Sequence, residues 1–251
     1  MAANSSRSGA QFRFYAALND FLRPTQIGRW IPYAFENLPG IKDPIEALGV
    51  PHTEVELIVV NGSSVDFSYK LHDGDKVAVY PPFFQVDISP LMPLREPLLD
   101  PAFVLDVHLG KLAKLLRLLG MDVLYNNRYH DRELANIAER EGRVLLTRDR
   151  RLLFYKRIVY AYFVRHSDPV GQVKEVIERY SLESRFRPFS RCISCNGDVV
   201  AVNKRDILDH LEPKTIRYYN EFYRCSRCGQ IYWRGSHFKG LINTLEKLVG
   251  S

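Results

Sequence analysis

FVLDVHLGKLAKLLRLLG, residues 103–120, decides the fold. Phe103, Val104, Leu105 and Val107 read as a buried strand, with Asp106 set among them. Leu109, Leu112, Leu115, Leu116 and Leu119 then recur at helical spacing, and Gly120 ends the stripe. A carboxylate inside a buried strand is costly unless it is paired, hydrogen-bonded or metal-bound. Asp106 is therefore the first candidate for a functional role. Lys111, Lys114 and Arg117 recur every three residues and predict a polar edge beside the leucine stripe. Such an edge suits either solvent or substrate phosphates.

The chain continues in alternation. MDVLY (121–125) reads as a strand, and DRELANIAERE (131–141) as a helix stopped by Gly142. RVLLT (143–147) is a strand running into Arg148 and Asp149, followed by a short helical RRLLFYK. IVYAYFV (158–164) predicts a strand, and DPVGQVKEVIERY (168–180) a helix capped by Asp168 with Pro169 in its first turn. Repeated strand–helix units imply an α/β fold, a mostly parallel sheet with flanking helices. Sites in such sheets form beyond the C-terminal ends of the strands. Asp106, Asp131 and Asp149 should approach that edge. Three gathered carboxylates repel one another unless a divalent cation joins them, and Mg²⁺ or Mn²⁺ prefers oxygen ligands. Asp131 and Asp149 also suit helix caps, Asp122 reads as a turn residue, and Glu133 as a solvated helix position. Arg148, Arg150 and Arg151 flank Asp149 and suit phosphate oxygens.

Upstream, residues 81–102 hold six of the chain's 14 prolines and predict a connector that packs through Phe83, Phe84, Leu91 and Leu98. Before it, FRFYAAL (12–18), TEVELIVVNG (53–62) and DKVAVYPP (75–82) read as strands. KDPIEALG (42–49) reads as a short helix capped by Asp43 and ended by Gly49. This order resembles the β-grasp, ubiquitin-like fold, in particular small sulfur-carrier proteins. Those carriers react through a free C-terminal Gly-Gly. Here the chain continues through Pro81-Pro82, so an accessory or docking module with a protein partner is expected. The organisation read from the sequence is a disordered tail (1–10), a β-grasp domain (11–84), a Pro-rich linker (85–101), an α/β domain (102–187) and a cysteine-bearing ribbon with a tail (188–251).

Charge is divided unevenly. Residues 1–97 hold 8 Lys/Arg against 11 Asp/Glu, whereas residues 98–251 hold 27 against 18. The basic surplus points to an anionic partner, with nucleic acid first. Nothing approaches an 18-residue apolar run, and the first residues lack a secretion-signal core, so no membrane span and a cytoplasmic location are expected. No Walker loop or dinucleotide fingerprint appears. A haloacid-dehalogenase-like site wants D-x-D, where this chain has Asp106-Val107-His108.

All four cysteines fall in two C-x-x-C pairs, Cys192/Cys195 and Cys225/Cys228, separated by 29 residues. The spacing is that of a Cys₄ zinc ribbon, whose closed shell makes the metal structural. Disulfides are disfavoured in the cytosol. Arg217, Arg224, Arg227, Arg234 and Lys239 are interleaved with Tyr232, Trp233, His237 and Phe238. Basic groups grip phosphates and aromatic rings stack on unpaired bases. Tyr232 reads as packing the ribbon, and His237 as catalytic, supporting or merely surface.

LDVHLGKLAKLLRLLG, HDREL and GRVLLTRDRRLL, with YWRGSH later, resemble the Mut-seven C-terminal ribonuclease domain. This is a branch of the PIN-like nucleases whose bacterial members often carry a β-grasp domain in front. The resemblance spans roughly residues 12–240. It implies a PIN-like, metal-dependent ribonuclease that leaves 5′-phosphate and 3′-hydroxyl ends. Its acidic motif positions fall on Asp106, Asp131 and Asp149, with Lys111, Lys114, Arg148, Arg150, Arg234 and Trp233 as substrate-binding candidates. Transfer RNA or another structured RNA is the expected partner. PIN nucleases often add a fourth acid near the last strand. Here only Asp168 is nearby, in a capping position, which leaves the number of catalytic metals open. The competing reading is a non-catalytic RNA- or ribosome-binding adaptor with a vestigial acidic site.

Overall fold

The computed structural model describes residues 8–82, 94–95, 98–235 and 240. In chain order the regular elements are β1 (Ser8–Phe14), β2 (Ile31–Phe35), α1 (Lys42–Ala47), β3 (Leu57–Val60), β4 (Ser63–Val65) and β5 (Lys76–Tyr80). There follow β6 (Phe103–Leu105), α2 (Gly110–Leu118), β7 (Val123–Tyr125), α3 (Asp131–Glu141), β8 (Val144–Thr147), β9 (Ala161–Phe163) and α4 (Pro169–Tyr180). The last are β10 (Val199–Val202), α5 (Pro213–Tyr218), β11 (Phe222–Cys225) and β12 (Ile231–Trp233). Contacts divide the chain into two compact units, Met1–Leu99 with Asp149–Phe163, and Asp100–Arg148 with Val164–Ser251.

The first unit carries the sheet β2-β1-β5-β3-β4. Its centre is the parallel pair β1/β5, in which Phe12 faces Val77, and each side is extended by antiparallel partners. Alternation puts Phe12, Phe14, Val77 and Val79 inside, and Ile41 and Ile45 from the α1 region are buried as well. That is the β-grasp arrangement. β1 begins at Ser8, so residues 8–10 of the expected tail belong to a strand; Gly9 N–H is fixed by Asp73 at 2.7 Å. Ile41, not Asp43, caps α1, and Asp43 lies in the first turn. Gly49 ends the helix at φ +100°, where a side chain would be strained and would crowd the Phe21 carbonyl. Strands β2 and β4 are additions that the sequence reading lacked. Of the expected connector contacts, those of Phe83, Phe84 and Leu91 lie outside the described residues.

In the second unit β7, β6 and β8 form parallel ladders, with Leu105 opposite both Tyr125 and Leu146. All three β6 side chains and all four of β8 are buried, as a sheet covered on both faces requires. α2 lays Leu109, Leu112, Leu116 and Leu119 inward, and Phe103 meets Tyr180 of α4 edge-on at 5.5 Å. α3 spans the expected residues and stops at Gly142 in the left-handed conformation. Asp168 caps α4 by accepting from Gly171 N–H at 2.7 Å. The ribbon adds the antiparallel sheet β10-β11-β12.

Two expectations are corrected. Arg117 does not extend the polar edge; it is 3 % exposed, and its guanidinium donates to the carbonyl of Val123 at 2.9 and 3.0 Å. By their contacts residues 149–163 group with the first unit. Only Ala161–Phe163 of IVYAYFV forms a strand. The Ile158 and Val159 carbonyls meet side chains of His52 and Arg95 instead.

Candidate functional site

The acidic rim is built at the C-terminal ends of β6, β7 and β8. Asp106 follows the last residue of β6, and its N–H still donates to the Leu146 carbonyl at 3.0 Å. The ladder thus fixes its backbone, and the side chain turns into a buried place with 4 % exposure. One carboxylate oxygen accepts from the hydroxyl of Thr147, the final residue of β8, at 2.8 Å; the other is 3.4 Å from His108 N–H. No cation from the described residues pairs with it. A buried carboxylate held by one good hydrogen bond is an unfinished site, and its chemistry fits a divalent cation.

Two further residues shape this rim. Tyr125, ending β7, donates its hydroxyl to the Val107 carbonyl at 3.0 Å. Gly110 makes that possible, because a Cβ there would stand 2.6 Å from the Tyr125 oxygen. Thr147, Tyr125 and Gly110 were visible in the quoted motifs, yet only the fold gives them these jobs.

The other candidates fall as follows. Asp131 is exposed in the first turn of α3, whose cap is His130, so the simple capping explanation for Asp131 does not hold. Glu133 is exposed as expected. Asp149 does cap the turn after it, accepting from Arg151 N–H at 2.8 Å, and it is grouped with the first unit. Lys111 and Lys114 are exposed on α2. Arg148 directs one guanidinium nitrogen at the carbonyls of Val164 (3.1 Å), Arg165 (2.9 Å) and His166. Arg150 donates to the Asp20 carbonyl at 2.9 Å and lies over the rings of Phe21 and Phe163. Both arginines are thus tied into their own units. Arg234 is exposed and 3.6 Å from Glu221, and Trp233 is half-buried against Phe222. His237, Phe238 and Lys239 lie outside the described residues.

The cysteines converge. Their four Sγ atoms lie within 4.8 Å of one another, so they can hold a metal ion such as zinc. Pairs measure 3.7 Å (Cys192–Cys228) and 3.4 Å (Cys195–Cys225). A tetrahedron with bonds of about 2.3 Å to sulfur has edges of about 3.8 Å, near these two pair distances. Backbone N–H groups of Arg227 and Cys228 point at the Cys225 sulfur at 3.4 and 3.5 Å. Burial works against the Cys225 thiolate, but these N–H groups and the neighbouring thiols prevail and bring its pKa down to about 7. Burial pushes Cys195 up to about 12. Gly197 leaves room here, since a Cβ would come within 2.9 Å of the Cys225 sulfur. Tyr232 packs as expected, its hydroxyl 3.0 Å from the Cys192 sulfur.

The first knuckle is sewn to the sheet edge. Arg117 donates to the carbonyls of Ile193 (3.2 Å) and Ser194 (3.0 Å). Asn196 accepts from Val123 N–H at 2.9 Å and donates to Asp122 at 2.7 Å. Asp122 is therefore more than a turn residue. It also pairs with Arg143 at 2.8 Å and lies 3.7 Å from Arg191. Burial opposes its ionisation, but these partners outweigh that and hold its carboxyl below the usual range.

Among the described residues no helix is long and apolar enough to cross a membrane. No curated protein matches the chain. The family model described as Mut7-C ubiquitin matches residues 7–87. That described as Mut7-C RNAse domain matches residues 101–245, more than half of the length. A buried acid at the rim of a parallel sheet, a four-cysteine ribbon later in the sequence and a β-grasp unit earlier in it are thus the parts of a chain that belongs to the Mut7-C RNAse domain family, joined to a Mut7-C ubiquitin domain.

Proposed function

We propose that the protein is a metal-dependent ribonuclease that hydrolyses RNA phosphodiester bonds at the Asp106 rim. The observation that carries this reading is the buried Asp106 carboxylate, which takes one short hydrogen bond from a hydroxyl and, among the described residues, pairs with no cation. Membership of a family named for its ribonuclease domain supports it. Asp106, Asp131 and Asp149 would supply oxygen ligands to Mg²⁺ or Mn²⁺. When bound, such an ion supplies water activation and charge neutralisation at the phosphoryl group. Thr147 orients Asp106, whose second oxygen has only the long contact with the His108 N–H. Lys111 and Lys114, exposed on the helix that leaves Asp106, hold backbone phosphates of the strand. Arg148 and Arg150, engaged with carbonyls, act on the substrate only through what their remaining donors reach. Hydrolysis forms a bond from water oxygen to phosphorus and breaks the bond to the 3′-oxygen. The departing oxygen takes a proton, leaving 5′-phosphate and 3′-hydroxyl ends.

The ribbon would be a structural zinc module in which Arg234 and Trp233 offer a charge and a ring face to unpaired nucleotides. The substrate class is RNA, with transfer RNA or another structured RNA as the strand cut. A cytoplasmic setting keeps the four thiols reduced for the metal. A protein partner of the β-grasp unit would meet its exposed Ile27, Trp30 and Leu38.

The test uses defined single-stranded, hairpin and transfer RNAs, with and without Mn²⁺, on the wild type and Asp106→Asn. Cleavage that needs the metal and is lost in Asp106→Asn, with RNA binding retained, is the expected result. RNA binding without metal-dependent cleavage in the wild type overturns it in favour of the adaptor reading.

A further inference from the structure

In the first unit, a buried polar cluster has no part in the chemistry above. His52, Thr53 and Glu54 form a short turn before β3, and all three are buried, at 6 %, 0 % and 3 % exposure. Three consecutive polar side chains are kept inside only when each has work for its polar atoms. All three spend them on the backbone of residues 153–163. His52 places Nε2 3.0 Å from the Ile158 carbonyl, with Nδ1 2.6 Å from Glu46. Thr53 donates to the Leu153 carbonyl at 3.3 Å. Glu54 accepts from Phe163 N–H at 2.6 Å. Arg95 completes the set, donating to the carbonyls of Val159 (3.0 Å), Thr53 (3.1 Å), His52 (3.2 Å) and Val55.

The segment needs this help. Between the turn at Arg150–Phe154 and the three residues of β9 it has no regular structure to satisfy its backbone. Within it Ile158 is buried, as are Leu152 and Leu153 before it and Ala161 after it, while Lys156, Arg157 and Val159 are exposed. Backbone carbonyls around such a buried anchor must find partners. Here they come from positions 52–54 and from Arg95. Arg150 adds a second hold, its guanidinium near the rings of Phe21 and Phe163, which meet at 5.8 Å. Asp149 is the first residue of this held stretch.

We propose that the β-grasp unit is the positioning half of the nuclease: through His52, Thr53, Glu54 and Arg95 it fixes the conformation of residues 149–163 and, with it, the placement of Asp149. The proposal rests on the nuclease reading for its consequence in activity, but not for the hold itself. It gives the ubiquitin-like unit a task inside the chain, independent of any partner. Residues 101–245, although matched as one ribonuclease domain, would then lack what shapes their middle.

The test is hydrogen exchange on the full-length protein, read by mass spectrometry, with Glu54→Ala, Thr53→Val and the conservative Glu54→Gln. Thr53→Val keeps the volume and removes only the hydroxyl, so it guards against a variant that merely fails to fold. Glu54→Ala should speed exchange across residues 150–163 by about tenfold or more, with Thr53→Val doing so more weakly. Residues 57–80 and 103–125 should stay at the wild-type rate, and Glu54→Gln should restore protection. In the cleavage assay Glu54→Ala should lower kcat by about tenfold with KM for RNA unchanged. Unchanged exchange at 150–163 overturns the proposal, as does acceleration shared equally with 103–125. A loosened segment with full kcat overturns the positioning role. A wild type that cleaves nothing defeats the nuclease reading, while the exchange data still decide whether the hold exists.

Discussion

The cysteine knuckle and the buried Asp106 lie in the same unit and are built on opposite principles. At the knuckle four sulfurs already gather within 4.8 Å of one another, with N–H donors aimed at that of Cys225 and a glycine leaving room. At the rim a buried carboxylate has one short hydrogen bond, from the Thr147 hydroxyl, and a long one from the His108 N–H. A structural metal site gains by being complete, because ligand binding and folding are one free energy. A catalytic site gains by being incomplete, since the open coordination is where substrate and water enter. The stability of the two sites should therefore respond to substitution with opposite signs.

Chelation should have the largest effect. Stripping the metal from the cysteines should cost several kcal/mol, up to about 10 kcal/mol for a structural zinc. The loss should spread beyond the ribbon, because Arg117 and Asn196 tie its first knuckle to β7. Thermal unfolding with and without chelator, and exchange across residues 121–125, measure this. A ribbon that melts while β7 keeps its protection would break the link. Asp106→Asn comes next and should run the other way. Cleavage should fall by about 10²-fold or more, whereas stability should rise by about 1–3 kcal/mol as a buried carboxylate with no cation partner among the described residues gives way to a neutral amide. A melting temperature that falls in Asp106→Asn would mean that the rim is a finished structural element after all.

How much of each site the sequence disclosed follows from the same contrast. The cysteine site is local: two C-x-x-C turns carry their own geometry, and only their meeting is long-range. The strand–helix pattern from Phe103 to Tyr180 was legible because burial on both faces leaves unbroken apolar runs in β6 and β8. Asp106 stood out as the charge in such a run. Thr147 did not, since a threonine at a strand end is ordinary until its hydroxyl is seen on Asp106. Arg117 was misread for a related reason. Spacing puts it in line with Lys111 and Lys114, but its long stem carries the guanidinium inward to carbonyls on β7 and the knuckle. The hold on residues 153–163 was not legible, because its partners at positions 52–54 and 95 are 64 to 109 residues away and nothing in the segment's own pattern names them.

A smaller effect probes the rim without touching a carboxylate. Gly110→Ala should push the Tyr125 ring off the Val107 carbonyl, since the new methyl would stand 2.9 Å from the ring carbon that bears the hydroxyl. The expected cost is about 1–3 kcal/mol. Gly110→Ala in a Tyr125→Phe background separates the two terms, because only the steric one remains. Equal costs in both backgrounds would show that the hydroxyl contributes nothing.

The smallest effect is one of pH and sharpens the account of the knuckle. Asp122 has an ordinary carboxyl value of 3.8 and is held below it by Arg143, Asn196 and Arg191 against the opposing influence of burial. A carboxyl depressed in the folded state stabilises that state fully above its unfolded value and loses the contribution as pH falls through the folded one. The ties from Asp122 to the sheet and the knuckle should therefore hold at neutral pH and weaken only below about pH 4. Asp122→Asn removes that charge at every pH, so it should flatten this part of the stability profile and cost about 1–3 kcal/mol at pH 7. Metal release confuses the measurement, because thiolates also take up protons as pH falls. The comparison is therefore made between Asp122→Asn and wild type at matched metal occupancy. A variant whose profile still falls as steeply as the wild type below pH 4 would place the acid sensitivity in another carboxylate and leave the suture at Asp122 neutral to ionisation.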